Sequence, residues 1–148
     1  MPHCVVTAIY TYPVKSCQGT AVESATLTPT GVEGDRQLMI LRDGKFTNQA
    51  RVPALATVAT RRVDAQTIVF SGPDRAPHQH TVSTAGAEST INFYGNQVPV
   101  TDQGDALAAW ISAAAGTAGL RVATLKATFT RSVPLAEFAV VDGIDQSR

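Results

Sequence analysis

The sequence predicts a mainly β protein, α+β in class, with one helix at about residues 105–115 near the C-terminal end. Three observations carry this reading. Short runs rich in β-branched and aromatic residues recur along the chain, as in Val5-Val-Thr-Ala-Ile-Tyr-Thr-Tyr12. Turn signals separate them, among them Asp43-Gly44 between Gln37-Leu-Met-Ile-Leu41 and Lys45-Phe-Thr47, a strong hairpin mark. Only one stretch has a convincing helical period: Leu107, Ala108, Trp110, Ile111, Ala114 and Ala115 share a face, and Gly116 follows as a stop.

Taken in order, Val5 to Tyr12 is the first expected strand, and Pro13 ends it, because proline fixes φ and donates no N–H to a ladder. Thr20 to Thr28 is expected to be a second strand, closed by Pro29-Thr-Gly31. Arg36 to Arg42 is a third, bounded by Gly34-Asp35 and the Asp43-Gly44 turn. Asn48 to Pro53 should be irregular, since Pro53 disfavours helix in the residue before it. Leu55 to Val63 and Gln66 to Ser71 follow as strands around a turn at Val63-Asp-Ala-Gln66, and Gly72 to Pro77 is a surface loop. His78-Gln-His80 begins another strand with both imidazoles on one face, read as solvated, because no third metal ligand lies at a suitable local spacing. His3 makes no better metal site, since Pro2 lacks an amide hydrogen. Ser89 to Tyr94 and Gln97 to Thr101 form a hairpin with its turn placed at Gly95-Asn96. Asp102 or Asp105 can cap the helix, and Leu120 to Leu125 is a last strand.

Length and composition narrow the function. At 148 residues the chain has room for one domain and a core that needs no disulfides. It is 44% hydrophobic and 16% charged, as a folded globular protein is. Twelve basic residues balance twelve acidic ones, so no overall field attracts nucleic acid or an anionic membrane. The balance is uneven along the chain. Residues 1–62 hold seven basic and four acidic side chains, a net +3, and residues 63–148 hold five and eight, a net −3, which favours anion contacts in the first part. The two cysteines, Cys4 and Cys17, form no CxxC and are expected to be reduced thiols. No apolar run approaches the length of a membrane helix, so a soluble, cytoplasmic protein is expected. A hydrolase finds no support, because there is no Gly-x-Ser-x-Gly elbow.

The chemistry-bearing residues cluster early. Lys15 and Ser16 sit on the loop after the first strand, offering an ammonium, a hydroxyl and backbone N–H groups suited to a phosphate or carboxylate. In Gly31-Val-Glu-Gly34-Asp35-Arg36, Gly34 permits a tight turn that delivers Arg36 as an anion clamp or as the partner of Asp35 or Asp43. Arg51 is a weaker candidate, read more readily as an ion pair or a solvated side chain.

Tyr12-Pro-Val-Lys-Ser-Cys17, Gly31-Val-Glu-Gly-Asp-Arg36, Arg51-x-Pro-x-Leu55 and Gly104-Asp105 leading to Trp110-Ile-Ser112 resemble, in this order, the N-terminal β-barrel domain of MOSC proteins. That family is named after the C-terminal domain of molybdenum cofactor sulfurase and includes the mitochondrial amidoxime reducing component. The resemblance covers about residues 5–131, with Arg131 at a basic position of the family. It implies a single β-barrel-like domain over residues 1–131 and a tail, 132–148, leading toward a catalytic domain or subunit. It also implies that Lys15, Ser16 and Arg36, with Arg51 nearby, contact the phosphate and pterin end of the molybdenum cofactor (molybdopterin). The family's molybdenum-ligating cysteine belongs to the C-terminal domain and has no match here. Cys17 falls at the family's loop position and is read as a buried thiol. The chain alone is therefore not expected to reduce N-hydroxylated substrates. A complete protein of this type would be a molybdenum-dependent oxidoreductase, and the competing expectation is a stand-alone interaction or scaffold barrel without cofactor.

Overall fold

Residue alternation along one strand organises the molecule. In the computed structural model, which describes residues 4–29 and 31–126, strand β5 (Leu38–Arg42) is buried on both faces. Leu38 and Ile40 point into one apolar cluster, Met39 and Leu41 into another. This explains why the sequence here is continuously apolar rather than alternating. Arg131 and the 132–148 tail, like His3, lie outside the described residues.

Before β5 come β1 (Ile9–Thr11), β2 (Thr20–Val22), β3 (Leu27–Thr28) and β4 (Gly31–Val32). After it come β6 (Lys45–Phe46), a 3₁₀ turn (Pro53–Thr57), β7 (Ala59–Arg62), β8 (Thr67–Ser71) and β9 (His78–Thr81). The chain then adds β10 (Glu88–Phe93), β11 (Asn96–Asp102), the helix α1 (Asp105–Ala114) and β12 (Leu120–Leu125). The largest sheet is antiparallel, in the order β10-β11-β12-β5-β6. It curls until its two edges meet, with the Phe46 ring edge-on to Phe93 at 4.9 Å, giving a nearly closed, barrel-like sheet. Met39, Leu41, Ile91, Val98, Val100 and Ala123 fill its inside. The expected β-barrel-like fold with one helix is therefore observed.

The second cluster lies between β5 and β12, the three-stranded sheet β7-β8-β9 and α1. Phe70, Ile68, Leu107, Ile111 and Leu120 are almost fully buried there. Trp110 packs on Phe70 at 6.1 Å and its indole N–H donates to the Ala76 carbonyl at 3.0 Å, so it faces the three-stranded sheet rather than the barrel. Neither aspartate caps α1 through its side chain. Asp102 Oδ1 instead accepts the Gly104 N–H at 2.7 Å, and Arg121 ties Asp102 to Asp105. The Arg121 hydrogen bonds hold the Asp102 carboxyl below its ordinary range.

Several expected elements change length. The first strand shrinks to Ile9–Thr11, because β2 offers only three paired residues, and Val5 and Val6 stay 77% exposed. The second divides into β2 and β3 as the chain changes partner from β1 to β4. The start of Leu55 to Val63 is the 3₁₀ turn, which brings Val52, Leu55 and Val58 to one side at a spacing of three. The β10–β11 turn is Tyr94-Gly95, one residue earlier than expected, with φ of 50° and 84°. Pairing of Ile91 with Val98 inside the barrel fixes that register, and Asn96 becomes part of β11.

The two histidines of β9 do share a face, with ring centroids 6.3 Å apart, but they are half-buried rather than solvated. His80 Nε2 lies 3.0 Å from Gln103 Oε1, and His78 leans on Trp110. Loss of solvation, then the neighbouring His80, pushes the His78 pKa down. The unfolded chain thus takes up a proton here more readily than the fold does, so the stability that neutral His78 allows is present above about pH 6.5 and falls as pH drops through its lowered value. Urea unfolding between pH 8 and pH 5 should show this loss, and His78→Gln should remove it. Truncating the residue that links the clusters to the loop below, Leu38→Ala, should cost about 2–5 kcal/mol in the same experiment.

Candidate functional site

The loop after β1 is stitched into the fold rather than left on the surface. The Leu38 N–H donates to the Pro13 carbonyl at 3.0 Å, and the Lys15 N–H donates back to the Leu38 carbonyl at 2.8 Å. Val14 and Leu38 thereby form a parallel bridge. On its far side the loop joins β7, with the Gln18 N–H on the Val58 carbonyl at 2.8 Å and the Thr60 N–H on the Gln18 carbonyl at 2.9 Å. Val14 and Cys17 are buried in the same cluster as Leu38.

Because Val14 points into that cluster, Lys15 turns the other way. Its ammonium sits 5.0 Å from the centre of the Phe93 ring and 5.4 Å from that of Phe46, over the seam where the curled sheet meets itself. Ser16 adopts φ of 75°, a left-handed conformation unusual for a residue with a Cβ, which the bonds on both sides of the loop hold in place.

The second motif docks on the same loop. Gly34 has φ of 75°, a conformation that favours glycine, and a Cβ there would lie 2.5 Å from Arg62 Nη1, so a larger residue would also have to displace the end of that side chain. Arg36, at φ of 52°, donates its backbone N–H to the Tyr12 carbonyl at 2.7 Å. Asp35 Oδ1 accepts the Tyr12 N–H at 2.7 Å, and its Oδ2 takes Arg36 Nη1. The guanidinium lies 5.3 Å above the Tyr12 ring. Of the two expected partners for Arg36, Asp35 is the one used, and Asp43 stands 4.0 Å from Arg42 instead. Arg36 remains 57% exposed while Asp35 is only 15% exposed, so the cation is anchored on one side and open on the other.

Lys15, Ser16 and Arg36 thus leave two chain segments that are hydrogen-bonded to each other. Arg51 is exposed, and its backbone N–H donates to the Asn48 carbonyl at 3.1 Å. The sequence reading passed over Tyr12, Phe46 and Phe93 as supports for the two cations. The signal for Tyr12 was its place directly before Pro13, but the phenylalanines meet Lys15 only through barrel closure. Gln37, between the motif arginine and Leu38, carries a buried Oε1 with no hydrogen-bond partner among the described residues. An open groove of about 400 Å³ lies nearby between Thr11, Ser24 and Arg62. Its guanidinium is already engaged by Glu33 at 3.2 Å and by the Asp64 carbonyl at 2.9 Å.

The Cys17 thiol is pushed up to about 12 by burial. It is neutral near pH 7, which suits packing and not metal ligation. Among the described residues no helix is long and apolar enough to cross a membrane.

The family model for the MOSC N-terminal beta barrel domain matches residues 3–118. A molybdenum cofactor sulfurase from Oryza sativa subsp. japonica is similar at 29% identity over 114 residues, covering 74% of this chain. The chain spans 14% of the length of that relative. A Bordetella bronchiseptica protein of known solution structure has a similar fold, with a TM-score of 0.62 and 21% identity, covering 82% of this chain and 90% of that one.

The two thiols should differ sharply in reactivity. Cys4 is exposed and Cys17 buried. An aromatic disulfide reagent at pH 8 should titrate one thiol in the native protein and two after denaturation, and two fast thiols in the native state would contradict the burial of the loop.

Proposed function

The chain belongs to the MOSC N-terminal beta barrel domain family, and from that premise we propose that it holds the phosphate end of the molybdenum cofactor's pterin. The observation that carries the reading is the hydrogen-bonded pairing of the Lys15 loop with the Arg36 segment, which places two cations and the Ser16 hydroxyl on adjoining backbone. The donor set fits a phosphate: a point charge, a hydroxyl and a planar fork with one edge open. Rigid anchoring of both segments lowers the cost of ordering them around a ligand. Arg51 would contribute only long-range charge.

When bound, the cofactor supplies oxidation–reduction chemistry. The residues of this chain supply charge and orientation. Lys15 and Arg36 neutralise the phosphate, Ser16 donates a hydrogen bond, and the neutral Cys17 beneath them fills the core. The active centre then belongs to a catalytic domain or subunit that this domain supports, in a molybdenum-dependent oxidoreductase.

The test is an NMR titration with a pterin phosphate at low and moderate salt. Saturable amide shifts should concentrate at Lys15, Ser16 and Arg36 and weaken as salt rises. Lys15→Ala and Arg36→Ala should each weaken binding about tenfold, and Arg36→Lys should recover only part of the loss. Stability should change by no more than about 1 kcal/mol in either alanine variant. If both variants bind as the parent does, the phosphate assignment is wrong. A protein that shifts nowhere at millimolar ligand would instead be the cofactor-free scaffold barrel.

A further inference from the structure

Arg36 does not meet a ligand as a bare cation. Asp35 accepts Arg36 Nη1 on one carboxylate oxygen and the Tyr12 N–H on the other, at 2.7 Å. The Tyr12 carbonyl in turn accepts the Arg36 N–H at 2.7 Å, and the Tyr12 ring lies under the guanidinium at 5.3 Å. Arg36, Asp35 and Tyr12 therefore form one closed unit. The carboxylate in it is mostly sheltered while the guanidinium is mostly exposed. Asp35 cannot swing away without giving up the hydrogen bond it accepts from the Tyr12 N–H.

We propose that Asp35 tunes how strongly the anion site discriminates by charge: it holds the preference for a doubly charged phosphate monoester over a singly charged diester below what Arg36 would give without it. The inference rests on the phosphate reading of the Lys15 and Arg36 segments and assigns a role to the carboxylate beside them. A fixed negative charge beside the clamp repels every ligand charge that the clamp attracts. A second charge on the phosphate therefore gains little at Arg36, while it still loses more hydration on binding. Lys15 favours the doubly charged probe to the same extent in the parent and in an Asp35 variant, so its contribution cancels when the monoester-to-diester ratios of the two proteins are compared.

The experiment uses the full chain and two probes at pH 8, a pterin phosphate monoester and its methyl diester, each titrated against the parent protein and Asp35→Asn. Asparagine keeps an oxygen for the Tyr12 N–H while removing the charge. The monoester-to-diester affinity ratio should rise about tenfold from the parent to Asp35→Asn. Loss of Arg36 orientation alone would weaken the probes without raising that ratio, which overturns the inference and leaves the phosphate site standing. If neither probe shifts the Lys15 and Arg36 amides in the parent, the underlying phosphate reading fails first. Amide spectra of Asp35→Asn with the parent's dispersion show that the variant is folded, and Asp35→Glu, which keeps the charge, should return the ratio to the parent's value.

Discussion

Two hydrogen bonds between Leu38 and the Pro13 to Lys15 loop hold together what would otherwise be separate pieces. Leu38 is the start of the central strand, and its side chain is fully buried beside Val14. Joining them fixes which way each loop residue points. Val14 and Cys17 go down into the core, and Lys15 comes up over the two phenylalanines of the seam. Arg36 follows from the same arrangement, since it lies two residues before Leu38 and bonds the residue before Pro13. A loop so placed exchanges flexibility for position, which is what an orienting site requires.

Charge in this region is organised in pairs that balance locally. Arg36 is matched by Asp35, Arg62 by Glu33, and Arg121 by Asp102 and Asp105. The first two pairs lie within residues 1–62 and the third within residues 63–148, so the net +3 of the first part rests on its other side chains. What Arg36 itself leaves open to a ligand is directional, a guanidinium edge above a tyrosine.

Much of this was legible in the sequence. The helix face at Leu107, Ala108 and Ile111, the Asp43-Gly44 hairpin and the strand at Leu120 each rest on a local pattern that the structure uses directly. The proximity of Lys15 and Ser16 to Arg36 came from motif resemblance, and the backbone pairing gives it a physical cause. What could not be read was whatever depends on a distant partner. Val5 and Val6 have strand-forming side chains but no strand among the described residues to pair with, so propensity misled. Leu55 and Val58 fell in a run read as a strand, and only their shared burial beside Val52, at a spacing of three, reveals a 3₁₀ turn. Tyr94 in a left-handed turn was hidden for the same reason: the register of Ile91 against Val98 decides it, and that register belongs to the closed sheet.

The chain has one tryptophan, and it sits where the helix meets the three-stranded sheet, its indole N–H on the Ala76 carbonyl and its ring against Phe70 and His78. Its emission is thus an intrinsic optical gauge of that joint alone. Loosening of the helix from β8 would shift the colour and quenching of Trp110 while leaving the barrel seam silent, because that seam is built from phenylalanine and tyrosine. The protein carries, without any label, a spectroscopic handle for the cluster beneath its helix and not for the one inside the barrel.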